Sequence, residues 1–213
     1  MQSIETNSIR VDPILSNKAN DLRRGLTLIA RPSGDVELAV MKFLEEARQI
    51  EPNQYYYQST ELHTTVLAIV TCSVDFKLDE TDIAPYIDIL TESIASFPPI
   101  RIAYRGITAS PDCVMVQGYP LDSALQDLRE RIRGHFRKAG VKSTLDQRFK
   151  THTAHLTCLR FQNPILKQPE QFLQFLQRNR DFDFGICEIS ELEFVANDWY
   201  MSDEHVDVIH RFP

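Results

Sequence analysis

The chain has 213 residues, 43% hydrophobic and 25% charged, a composition that fits a globular protein with a substantial core. Its net charge of −7 argues against wrapping a long nucleic-acid duplex. No apolar run approaches the ~20 residues that cross a bilayer, and the first twenty residues lack the apolar stretch of a secretory signal. They read as a loose polar arm, and the expected location is cytoplasmic. The four cysteines, Cys72, Cys113, Cys158 and Cys187, form no Cys-x-x-Cys pair and lie in or beside apolar runs. They read as small buried residues of a reducing compartment, not as a disulfide or zinc set.

In chain order, Gly25 to Ala30 reads as a first strand, broken by Arg31-Pro32-Ser33-Gly34. Val36, Val40, Phe43, Leu44, Ala47 and Ile50 recur at helical spacing, with Asp35 placed to suit the exposed amides of the helix start. Tyr55-Tyr56-Tyr57 reads as an extended approach to a strand over 62–71. After an acidic loop, Ile83, Tyr86, Ile87, Leu90, Ile94 and Phe97 line a second helix that Pro98-Pro99 stops. Ile100 to Thr108 alternates as a strand, Ser110-Pro111-Asp112 turns, and Val114 to Tyr119 returns as the other arm of a hairpin. A third helix carries Leu121, Ala124, Leu125, Leu128, Ile132 and Phe136 and closes at Gly140. A strand is expected over 151–161, a helix opening at Pro169, and strands near 186–196 and 205–212.

The order strand, helix, strand, helix, strand thus occurs twice. The expected fold is one α+β domain over residues 25–213, an internal duplication with two similar lobes and approximate halves 25–112 and 113–213, preceded by the polar arm 1–24.

The strand near 151–161 contains His155 and Thr157, and the strand near 62–71 begins with His63 and Thr65. Residues two apart on a strand share a face, so each pair sets an imidazole beside a hydroxyl. Both members repeat at the same offset: 155 − 63 and 157 − 65 are each 92. Breaking a phosphodiester without a metal requires a base for the attacking oxygen and an acid for the leaving oxygen, and two histidines can share this work near neutral pH. A nearby hydroxyl can donate to a phosphate oxygen.

The motifs His63-Thr64-Thr65-Val66 and His155-Leu156-Thr157-Cys158 resemble the His-x-Thr/Ser-x signature of the two-histidine (2H) phosphoesterase superfamily, which includes 2′-5′ RNA ligase-like proteins, cyclic nucleotide phosphodiesterases and RNA end-trimming enzymes. The resemblance extends in element order from about residue 25 to the end. It implies a bilobal fold with two antiparallel sheets flanking a central groove and helices outside. It implies that His63 and His155 are the acid–base pair and that Thr65 and Thr157 hold the phosphate. It also implies chemistry without metal or cofactor, opening a 2′,3′-cyclic phosphate of a small nucleotide or RNA terminus. Where many bacterial members have Pro before the motif histidine, this chain has Leu62 and Ala154; where many have Arg-x-Phe-x-Pro before the second, Lys150 and His152 fill the first and third places. The chain therefore looks like a divergent branch, with Lys150 a candidate for the missing cation.

Two other readings of the groove stand beside this one: a nucleotide- or RNA-end-binding module without turnover, and a metal-dependent hydrolase using His63, His152 and His155. A 2′-5′ RNA ligase-type activity is a further alternative within the family. From Arg129 to Lys150 there are eight bases and two acids, readable as a solvated helix face or as a field drawing an anion to the site. Trp199 and Tyr200 are candidates for stacking on a base, or anchors of their loop; Tyr55, Tyr56 and Tyr57 have the same two readings. His135, His205 and His210 lack a hydroxyl two residues on and read as surface or core residues.

Overall fold

The computed structural model describes Ile4, residues 8–147 and residues 150–213. Parts of the predicted arm (residues 1–3 and 5–7) and Arg148 of the basic run lie outside the described residues. The elements are β1 (Arg24–Ala30), α1 (Asp35–Ile50), β2 (Tyr55–Tyr56), β3 (Thr64–Ser73), α2 (Ala84–Ile94), β4 (Ile100–Ala109), β5 (Cys113–Pro120), α3 (Ala124–Ala139), β6 (Ala154–Arg160), α4 (Pro169–Arg178), β7 (Asp183–Ile189), β8 (Leu192–Asn197) and β9 (Asp207–Phe212). They build two antiparallel sheets, one of four strands in the order β3-β1-β8-β9 and one of five in the order β2-β6-β5-β4-β7. The helices lie outside and the sheets face a central groove, so the α+β bilobal architecture expected from the sequence is the one observed.

Each sheet hides its outer face under a pair of helices. Behind the five-stranded sheet, Phe43 of α1 stacks on Phe175 of α4 at 5.0 Å and meets Phe184 of β7 edge-on at 5.9 Å. Behind the four-stranded sheet, Tyr86 of α2 packs on Phe136 of α3 at 5.8 Å and on Phe194 of β8 at 6.4 Å. Each of these rings is at least 95% buried and contributes on the order of 1.5–3 kcal/mol by leaving water. The helix ends follow local chemistry. Gly140 takes the left-handed conformation (φ 65°) that ends α3, and Pro169 occupies the first turn of α4, where a missing N–H costs nothing.

Three strand assignments differ from the sequence expectation. The apolar run 186–196 is not one strand. It breaks at Ser190-Glu191, and β7 and β8 belong to different sheets. The burial patterns reflect this, since β7 alternates buried and exposed positions while all six residues of β8 are buried. Tyr55-Tyr56 does not lead into the first histidine strand but pairs with Arg160 and Leu159 of the second. The strand placed near 205–212 starts at Asp207, after a 3₁₀ turn at Asp203–His205.

In the basic run Arg131, Arg137, Lys138, Lys142 and Lys150 are exposed, as a solvated face would have them, but two of its arginines are not. Arg129 and Arg133 are 0% and 2% exposed, because they occupy the buried stripe of α3 together with Leu125, Leu128, Ile132 and Phe136. Arg133 forms a bidentate pair with Asp146. Part of the expected arm is anchored: Leu15 is 3% exposed, the Arg10 N–H donates to the Pro111 carbonyl, and Lys18 Nζ donates to the Tyr55 hydroxyl. Cys113, Cys158 and Cys187 are buried, Cys72 is half-buried, and all four are free thiols. Among the described residues no helix is long and apolar enough to cross a membrane.

The two sheets meet where β3 and β6 run side by side, and two side chains cross the seam. Thr64 of β3 donates to the His155 carbonyl of β6 at 3.3 Å and receives the Tyr104 hydroxyl at 2.7 Å. Arg129 donates to Thr65 and Val66 carbonyls on β3 (3.0 and 2.7 Å) and to His152 and Thr153 carbonyls just before β6 (3.2 and 2.9 Å). Replacing Arg129 with Met leaves four backbone acceptors, that of Val66 buried, without this donor. The expected cost is about 3–5 kcal/mol, read as a fall in the urea midpoint. A variant within about 1 kcal/mol of the parent would contradict this role for Arg129.

Candidate active site

Both histidine strands carry the same irregularity in the same place. On β3 the register to β1 slips between Thr65 and Leu67, which leaves Val66 as an extra residue. On β6 the register to β5 slips between Thr157 and Leu159, which leaves Cys158 as the extra residue. The two bulged positions again differ by 92, so the duplication extends to backbone detail. A bulge adds one residue and shifts the alternation of faces. Beyond it, Ala68 and Arg160 return to the half-exposed side that carries the Thr65 and Thr157 side chains.

The groove therefore brings together His63 and Thr65, at the head of β3, and His155, Thr157 and Arg160 on β6, all half-buried. His63 immediately precedes β3 and follows a 3₁₀ turn at Ser59–Glu61. That turn is closed by the Glu61 carboxylate, which accepts from the Gln58 N–H at 2.9 Å and from the Tyr55 hydroxyl at 2.5 Å. His63 Nδ1 lies 2.9 Å from the Glu61 carbonyl. A carbonyl can only accept, so Nδ1 carries the proton and Nε2 of the neutral ring keeps its lone pair.

Arg160 is the residue that sequence reasoning missed. Its Nε donates to the Tyr57 hydroxyl at 2.8 Å and its guanidinium lies 5.6 Å from the Tyr200 ring. Among the described residues no carboxylate lies within ion-pair distance of it. Strict alternation from Thr157 would turn position 160 away, and nothing in the sequence marks the bulge that turns it back.

The other candidates lie elsewhere or serve the scaffold. Lys150 is exposed and pairs with Glu130 at 2.8 Å, beside α3. Tyr200 is 0% exposed, its hydroxyl accepting from Arg23 at 3.1 Å, so its ring packs under Arg160 instead of lying open to a base. Trp199 is half-buried with the Arg23 guanidinium 5.7 Å from its ring. His152 is exposed, and among the described residues no three His, Cys, Asp or Glu side chains gather as a metal ion would need.

The surroundings keep both imidazoles neutral. Burial pushes the His63 pKa down to about 4, against the pull of the Glu61 carbonyl; the charges of Arg31 and Arg160, and that of His155 whenever it is protonated, add to the depression. Burial, then Arg129 and Arg160, lower His155 as well. The site is thus a groove of neutral bases rimmed by fixed cations, which favours an anionic occupant.

Two antiparallel sheets opposed across a groove carry one His-x-Thr strand each. Comparison with solved structures finds the same fold. TT0787 of Thermus thermophilus superposes with a TM-score of 0.62 at 15% identity, covering 88% of this chain and 96% of that one. Escherichia coli LigT complexed with 3′-AMP superposes with a TM-score of 0.59 at 10% identity, covering 89% and 97%. A structure described as a phosphoesterase matches with a TM-score of 0.57 at 12% identity, covering 89% and 97%. No protein-family model matches the sequence, and no curated protein matches it.

Because the unfolded chain binds protons at both histidines near pH 6.5 and the folded chain resists doing so, stability is greatest above that pH. It falls as the pH drops from about 6.5 toward 4. His63→Gln is expected to reduce that slope, measured as denaturant midpoints across the interval; an unchanged slope would contradict a neutral folded-state His63.

Proposed function

We propose that the groove is a metal-independent phosphodiesterase site that opens a 2′,3′-cyclic phosphate on a small nucleotide or an RNA terminus. The observation that carries this reading is the pairing of two His-x-Thr units on adjoining strands, repeated down to the bulge, beside an arginine with no carboxylate partner among the described residues. The tautomer of His63, with its proton on Nδ1, leaves the Nε2 lone pair free to accept and suits it as the base, so His155 takes the acid role. An anionic diester bound beside His155 raises that imidazole's proton affinity and so charges it. His63 Nε2 then accepts a proton from water as the water oxygen bonds to phosphorus. The bond from phosphorus to one ribose oxygen breaks, and that oxygen takes the proton from His155. Solvent returns both histidines to their starting states.

Thr65, Thr157 and Arg160 donate to the non-bridging oxygens, whose charge grows in the transition state. A ribose 5′-hydroxyl in place of water would convert the same steps into 2′-5′ ligation. LigT has been crystallised with 3′-AMP, with ATP and with NADP+, which supports a nucleotide as the occupant here.

The test is incubation of the purified protein with 2′,3′-cyclic nucleotides in excess chelator, with ring-opened product separated by chromatography. Turnover is expected with a bell-shaped pH profile. His63→Ala and His155→Ala are each expected to lose about 10²–10⁴-fold in kcat while remaining folded. Equal turnover by the double variant would end this reading. Stoichiometric binding without product would identify a nucleotide-binding module instead, and loss of activity in chelator with recovery on adding zinc would indicate metal chemistry.

A further inference from the structure

The turn before His63 presents three successive backbone carbonyls, of Thr60, Glu61 and Leu62, and all three are engaged. The middle one holds His63 Nδ1. The outer two both accept from Arg31 Nη1, the contact to Leu62 measuring 3.4 Å. Arg31 stands just beyond β1, next to the four-stranded sheet. Its Nε donates at 3.0 Å to Glu193 of β8, a residue 7% exposed. Glu193 in turn accepts from Arg211 of β9 at 3.1 Å. One guanidinium therefore ties the carbonyls flanking Glu61 to a carboxylate that the sheet fixes in place.

We propose that Arg31 is the positioning residue for His63: its Nη1 on the Thr60 and Leu62 carbonyls, with Nε anchored on Glu193, aims the Glu61 carbonyl, and that carbonyl holds the proton on Nδ1 and leaves Nε2 bare toward the groove. The catalytic consequence rests on the reading of His63 as the base, but the structural claim does not. A planar fork is needed, because one group must span two carbonyls and a carboxylate. Lysine keeps the charge and lacks that geometry. The titratable and charged groups that face His63 are Arg31 from the end of β1 and His155 and Arg160 from β6. Arg31→Lys thus separates the effect of charge from the effect of aim.

The experiment is long-range ¹H–¹⁵N NMR of the histidine side chains in the full chain, comparing the parent with Arg31→Lys, Arg31→Met and Glu193→Gln. The parent is expected to show His63 in a single neutral form with the proton on Nδ1. Both Arg31 variants are expected to show a mixture of tautomers, and Glu193→Gln a smaller admixture. Cyclic nucleotide turnover is expected to fall about 10²-fold in kcat with little change in KM. A single Nδ1-protonated form persisting in folded Arg31→Lys or Arg31→Met overturns the proposal, as does a parent protein protonated on Nε2. If Arg31→Met does not fold, Arg31→Lys and Glu193→Gln decide on the same signal. A His63→Ala variant with full turnover would refute the catalytic reading and leave the tautomer result standing, so the two failures are distinguishable.

Discussion

The guanidinium of Arg129 grips backbone carbonyls on both sides of the seam between β3 and the approach to β6, and the spacing of the groove depends on that grip. Burying an arginine is costly unless its donors are satisfied. Here carbonyl oxygens satisfy them, and no carboxylate is among the partners. The choice matters for chemistry as well as for stability. A carboxylate would cancel the charge, whereas carbonyls leave it in place. Desolvation lowers the Arg129 pKa to about 10, which still keeps it a cation near neutral pH, where it contributes to the depressed proton affinity of His155. One buried side chain thus ties β3 to the approach to β6 and sets part of the field in which a phosphate would sit.

The two lobes repeat each other in motif, strand pairing and bulge, yet the groove they enclose is not symmetric. Where the second lobe places Arg160 after its bulge, the first places Ala68. Where His63 is oriented by a carbonyl of its own turn, His155 lies within a regular strand. Arg160 therefore stands on the β6 side, and the tautomer is fixed on the β3 side. An anion drawn to Arg160 would lie nearer one imidazole than the other, which is the kind of difference that lets two like side chains take unlike parts in one reaction.

Much of the scaffold was readable from the sequence, since helical spacing and turn residues are local signals. The helices and the hairpin of β4 and β5 follow from them within a few residues, and the constant offset between the two His-x-Thr units pointed to the groove. What stayed hidden depends on contacts between distant parts of the chain. The bulges at Val66 and Cys158 come from register against β1 and β5, so the turn of Arg160 into the groove had no local sign. The role of Arg129 was nearer the surface of the sequence. Arg129 and Arg133 share the spacing of Leu125, Leu128, Ile132 and Phe136, and an arginine on an apolar stripe is a reason to seek buried acceptors. The run 186–196 misled because continuous apolar character does not reveal a change of sheet.

That change of sheet has a consequence for how the molecule is made and how it can fail. β4 crosses to lie beside β5, and β8 crosses back to lie beside β1, where Gly25 meets Asn197. Neither lobe owns all of its strands, so a fragment ending at the β4–β5 turn would emerge from the ribosome with one neighbour of β1, strand β8, and both neighbours of β4, strands β5 and β7, still unsynthesised. Such interlacing closes very long loops before any reward, which slows acquisition of the native state and exposes unpaired edges meanwhile. Once made, the same weave opposes peeling one lobe from the other, and two separately expressed fragments would need each other to complete either sheet.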